Sequence, residues 1–171
     1  MVKTFLEYKM VKRGRRIERE TTDYVADGEI SDNRIVPDAA FIIENIETGK
    51  RALFFLEMDM ATERIVTHIL RDKRVTLHHK ISQYDRYLQS LRYRETYAPF
   101  GDFRFFTMLF VTLNKERIDN IRQSTHDLPV QLAQYYRLTT YSEAMGDFLG
   151  QIWVSRSASD TQLYPLVREA S

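Results

Sequence analysis

The sequence predicts a mixed α/β fold, a central sheet with flanking helices, and three observations carry that prediction. Two apolar runs, Ile35–Ile43 and Arg51–Asp59, are separated only by the polar stretch Asn45–Lys50 with its Gly49, the pattern of a β-hairpin. Leu77, Ile81, Tyr84, Leu88 and Leu91 recur at helical spacing and form one apolar stripe. Phe105–Thr112 is a further apolar run of the kind found in a strand buried on both faces.

Each element has its own signal. Before the hairpin, the run from Phe5 to Val11 gives way to Lys12, Arg13, Gly14, Arg15 and Arg16. It reads either as a strand pair turning at Gly14 or as a helix broken there, and the hairpin or irregular reading is preferred. Asp27-Gly28 marks a turn, and the strand over Ile35–Ile43 is entered through Pro37. Ala61 to about Tyr97 reads as helix, in one or two pieces, stopped by Pro99 and Gly101. Lys115 to about Ser124 is a short helix with Asn114 as its N-cap. Tyr135–Tyr141 reads as a strand and Phe148–Val154 as a last short one. The composition turns polar from Ser155, so residues 155–171 are expected to form a loosely held tail on a single domain of 171 residues.

Composition narrows the function. There is no cysteine, which excludes disulfides, thiolate chemistry and cysteine-ligated metals. That is compatible with a cytoplasmic location, and charges interrupt the N-terminal apolar residues before they could form a signal peptide. No apolar stretch approaches the roughly 18 residues of a membrane-spanning helix, so no membrane partner is expected. The net charge of +1 does not mark a nucleic-acid binder; basic surface would have to come from local segregation. No glycine-rich phosphate loop and no nucleophile elbow occurs.

The chemistry concentrates in acids. Pro37-Asp38 opens one arm of the hairpin, and Glu57-Met58-Asp59 closes the other. Strand alternation puts Glu57 and Asp59 on one face, and pairing across the turn would bring Asp38 to them. Converging carboxylates repel one another unless a cation, an arginine or a lysine neutralises them. Magnesium or manganese suits such an oxygen cluster and would activate water beside a phosphodiester. A solvated or arginine-paired set of acids is the plainer alternative. Glu63 reads better as a favourable charge in a helical first turn than as a fourth ligand.

The residues that carry this pattern, Pro37-Asp38 and Glu57-x-Asp59, resemble the PD-(D/E)xK phosphodiesterase signature. The stretch PDAAFIIENIETGKRALFFLEMDMATE, followed by Lys80-x-x-x-Tyr84, resembles the replication-relaxation family, over about residues 34 to 90. That resemblance implies a PD-(D/E)xK, restriction-endonuclease-like core and a role in plasmid or mobile-element replication and relaxation. It implies Asp38 and Glu57 as ligands of Mg2+ or Mn2+, with the main-chain carbonyl of Met58 as a further ligand. The chain departs from the nuclease pattern at Asp59, which stands where the pattern has lysine. Lys80, on the following helix, is the replacement that the broad fold suggests, with a surface lysine as the equal alternative. The expected catalytic set is therefore Asp38, Glu57, Asp59 and Lys80.

Basic residues cluster between Arg64 and Arg94, with Arg64, Arg71, Lys73 and Arg74 the first of them, and tyrosines interleave from Tyr84 onward. These are expected to contact DNA through phosphates and stacked bases, although a solvated helix face and a core position for Tyr84 are the bland readings. Gln83 is a possible hydrogen-bonding neighbour. His68, His78, His79 and His126 are given no catalytic role. The expected partners are DNA and replication or relaxation proteins. The activity expected is a magnesium-dependent endonuclease, the alternative a catalytically inactive DNA-binding or protein-docking module of the same fold.

Overall fold

The computed structural model describes residues 2–5, 10–13, 16–19, 22–25, 34–60 and 76–167. They are mixed α/β and group into two compact units, residues 1–57 with 83–107, and residues 58–82 with 108–171. Among the described residues no helix is long and apolar enough to cross a membrane.

The first unit is built on an antiparallel ribbon. β1 (Val2–Phe5) pairs with β6 (Ala39–Glu44), which pairs with β7 (Arg51–Asp59). The predicted hairpin at Asn45–Lys50 is present. Asn45 closes it by accepting the amides of Glu47 and Thr48 at 2.9 and 3.1 Å, and Gly49 takes the left-handed conformation that the turn needs, with φ +65°. Phe41 and Phe54 are cross-strand partners with rings stacked at 5.2 Å, and Arg51 pairs with Glu44 at 2.8 Å across the mouth of the turn.

The strand expected over Ile35–Ile43 is in fact interrupted. β5 is only Arg34–Ile35, paired with β4 (Asp23–Tyr24); Val36–Asp38 is irregular and β6 starts at Ala39. Pro37 explains the break, since it has no amide to donate and restricts the residue before it. At the N-terminus, β2 (Met10–Arg13) pairs with β3 (Arg16–Arg19), the strand-pair reading of that basic run.

α1 (Leu77–Ser90) buries Leu77, Ile81, Tyr84 and Leu88, the predicted stripe. Leu91 does not belong to it: it is 45 % exposed and has φ +60°, so it ends the helix. α2 (Tyr93–Thr96) and a 3-10 turn at Ala98–Phe100 follow. The N-terminal part of the predicted helix, residues 61–75, lies outside the described residues. Within the first unit, Phe55 packs against Tyr84, Tyr87, Tyr97 and Phe106 at ring separations of 6.4, 6.3, 5.3 and 4.6 Å, an aromatic core laid on β7.

In the second unit, β8 (Phe106–Thr112) from Met108 onward and β9 (Tyr136–Thr140) are parallel, with Met108 opposite Tyr136 and Thr112 opposite Thr140. They are joined through α3 (Lys115–Ser124), capped by Asn114, whose side chain accepts the Arg117 amide at 2.9 Å. A seven-residue helix absent from the sequence reading, α4 (Tyr141–Asp147), starts immediately after β9. Its signal was present in Thr140 and Glu143, which form a capping box. β10 is only Trp153–Val154, antiparallel to β9 and to β11 (Leu163–Tyr164).

Among the described residues after Ser155, up to 167, several carry specific contacts. Arg122 donates to the carbonyls of Ser157 and Asp160, and Tyr164 donates to Asp160 at 2.8 Å. Arg156 is buried, stacks over the Tyr136 ring at 4.4 Å and donates to the Pro129 carbonyl at 2.9 Å.

Candidate functional site

The register of the β6–β7 ribbon decides where the first two acids stand. Ala39 faces Leu56 as the last pair of the ladder, and Asp38 and Glu57 are the next residues beyond that pair on the two arms. Pro37 ends the ladder at this point, so Asp38 sits at a bend beyond the strand end. Asp38 is half-buried and Glu57 is 3 % exposed.

Burial of an ionised Glu57 is costly without hydrogen bonds. One donor is Tyr84, whose hydroxyl lies 2.6 Å from Glu57 Oε1. Tyr84 stands on the inner face of α1, in the aromatic core described above. Its pKa is raised well above the ordinary tyrosine value, first by burial, then by the charge of Glu57 and its hydrogen bond, and then by the charge of Asp38. The phenol therefore stays a donor, and both carboxylates are felt at its oxygen.

Asp59, two residues further along β7, has a different partner. Arg117, in the first turn of α3, donates from Nε to Oδ2 at 2.6 Å and from Nη2 to Oδ1 at 3.1 Å. This is a two-pronged, largely buried ion pair, with side-chain exposures of 14 % for Arg117 and 3 % for Asp59. No local spacing announces Arg117, which is 58 residues from its partner. The one available signal was the cation itself, unfavourable in the first turn of a helix unless an acid holds it.

Lys80 lies in the first turn of α1, half-buried. Arg64, Arg71, Lys73 and Arg74, the expected DNA contacts, and Glu63 and His68 lie outside the described residues. The stacking role expected of Tyr84 is corrected by its burial: it is 1 % exposed, and Tyr87, Tyr93 and Tyr97 are buried with it, so no ring face is available to a base. These tyrosines interleave with basic residues because one helical face is core and the other is solvated.

A third buried acid joins the described set. Asp23 accepts hydrogen bonds from Tyr87 and from Thr96, the latter at 2.5 Å. His78 Nε2 is 3.0 Å from Asp127 Oδ1, a pairing on the surface of the second unit. Among the described residues, no group of three or more histidine, aspartate or glutamate side chains gathers closely enough to hold a metal ion. The acids of β7 are instead divided: Glu57 has a phenol and Asp59 a guanidinium.

A family model described as replication-relaxation matches residues 7–102, more than half of the chain. No curated protein and no solved structure matches it.

Proposed function

The chain belongs to the replication-relaxation family, and from that premise we propose that it acts on DNA during the replication or relaxation of a plasmid or other mobile element, as a metal-dependent nuclease-like domain. The observation that carries this reading is that Asp38 and Glu57 both adjoin the last ladder pair, Ala39 and Leu56, and that both charges are felt at the Tyr84 hydroxyl. An antiparallel ribbon with these two acids near one end and a helix after it is also the element order of the PD-(D/E)xK core, which we take as the fold of this region.

The donor set suits the ion proposed. Mg2+ and Mn2+ prefer hard oxygen ligands, and Mg2+ in particular uses one or two carboxylates and completes its shell with water and substrate phosphate. Asp38 and Glu57 supply two such carboxylates, so a cluster of three acids is not required. When bound, the ion would lower the pKa of a water and take up charge on a phosphodiester. The chain's own residues orient and exclude: Glu57 is held by Tyr84, and the buried aromatic core behind it keeps bulk water from that side. Lys80 is the proposed charge-stabilising group, and Arg64, Arg71, Lys73 and Arg74 are the proposed phosphate contacts. Replication or relaxation proteins are the proposed protein partners.

The ion pair of Asp59 with Arg117 favours a second reading. The position where the nuclease pattern has its lysine holds an acid that is already neutralised. The same fold would then serve as a DNA-binding or protein-docking module without cleavage.

Incubation with supercoiled, branched and single-stranded DNA in Mg2+ or Mn2+ separates the two. The nuclease reading expects metal-dependent nicking that is lost in folded Asp38→Ala and Glu57→Ala proteins. Salt-sensitive DNA binding that survives both replacements, with no cleavage of any substrate, selects the docking module.

A further inference from the structure

Glu57 is nearly inaccessible, yet it stands one residue past the last ladder pair of the ribbon, as Asp38 does on the other arm. The orientation of the Glu57 carboxylate is therefore set by protein groups rather than by solvent, and Tyr84 is one of those groups. The hydroxyl lies 2.6 Å from Oε1, the length of a charge-assisted O–H···O bond. The ring that carries it is 1 % exposed and is wedged between Phe55 at 6.4 Å and Phe106 at 6.5 Å, the latter edge-on. A phenol has one proton to give, so this bond fixes one defined oxygen of Glu57. Carboxylates that bind metals are commonly held in this way by an outer hydrogen-bond partner, whose removal costs about 10–100-fold in metal affinity.

We infer that Tyr84 is a positioning residue, whose hydroxyl orients the Glu57 carboxylate so that the Asp38–Glu57 pair can take a divalent cation. The inference rests on the metal reading proposed above. It also accounts for a polar tip on a side chain whose other contacts are those of a core aromatic.

The test is a calorimetric titration of Mn2+ into the wild-type chain, Tyr84→Phe and Tyr87→Phe, with circular dichroism confirming each fold. Tyr87 is the control, because it lies in the same helix and the same aromatic core but donates to Asp23. The expected result is Mn2+ binding about 10–100-fold weaker in Tyr84→Phe and unchanged in Tyr87→Phe. Equal binding by wild type and Tyr84→Phe overturns the inference and leaves the metal reading standing. Equal weakening in both variants also overturns it, since a loosened core would then be the cause. A wild-type chain that binds no Mn2+ overturns the metal reading and the inference with it. Should Tyr84→Phe fail to fold, 3-fluorotyrosine placed at position 84 alone keeps the question open to measurement. Its fluorine resonance is expected to move on saturation with Mg2+, and a resonance that stays in place overturns the inference.

Discussion

The guanidinium of Arg117 grips Asp59 with both arms, at 2.6 and 3.1 Å, from the first turn of α3. Breaking one side of such a pair strands a buried charge, which costs about 3–5 kcal/mol. Arg117→Ala is expected to lower the unfolding free energy obtained from urea denaturation by that amount, and Arg117→Lys by less, because a lysine keeps the charge but not the two-pronged geometry. Replacing both partners by apolar residues, as in Asp59→Leu with Arg117→Met, is expected to recover most of the loss. A double variant as unstable as Arg117→Ala would show that the guanidinium has another, larger role.

Alkaline pH should act mainly on the first unit. Burial and then the neighbouring acids raise the pKa values of Tyr84 and Tyr87, and burial followed by the charge of Asp23 raises that of Tyr97. The folded chain then holds these protons where the unfolded chain releases them. Stability is fully present below the unfolded tyrosine value of about 10 and falls as pH rises above it, by about 1.4 kcal/mol per pH unit for each tyrosine that stays protonated. Urea midpoints measured between neutral and alkaline pH are expected to show this slope. Tyr97→Phe should remove about one proton's share of it.

Leu91 holds a left-handed conformation at the end of α1, with φ +60°, where a Cβ is unfavourable by about 1–2 kcal/mol. Its side chain is 45 % exposed, so little packing is lost on removing it. Leu91→Gly is expected to stabilise the chain by about 0.5–1 kcal/mol, the strain relieved less the entropy that glycine adds to the unfolded state. Thermal unfolding reads the change, and a lower transition temperature would mean that the leucine packs better than its exposure suggests.

The N-caps of the second unit offer a local test of the elements that frame Arg117. Asn114→Ala removes the acceptor for the Arg117 amide and is expected to cost about 1 kcal/mol. Asn114→Ser should retain most of that stability in the same urea measurement, because a hydroxyl can accept the same amide.

Local patterns were legible and long-range partners were not. The hairpin could be read because Asn45 and Gly49 encode the turn and both arms are apolar, and α3 because Asn114 precedes it. The break at Val36–Asp38 was missed because a continuous apolar run outweighed the proline that interrupts it. α4 was missed because Tyr141–Asp147 is short and weakly apolar, so its capping box was its only signal. For the acids, strand alternation could place Glu57 and Asp59 in series, but nothing in their spacing distinguishes a phenol partner from a guanidinium. Tyr84 and Arg117 reach β7 from helices 27 and 58 residues away, and that choice is made by packing.

Trp153, the single tryptophan of the chain, is fully buried edge-on against Phe148, and its indole donates to the Phe148 carbonyl at 3.0 Å. Its fluorescence therefore reports on one unit only, residues 58–82 with 108–171. The amides of Phe41–Ile43, paired with Leu53 and its neighbours in the ribbon, report on the other through hydrogen exchange. The molecule thus carries a separate built-in gauge for each unit, and comparing the two during denaturation shows whether the ribbon that bears Asp38 and Glu57 melts together with the part that holds Arg117 or opens ahead of it.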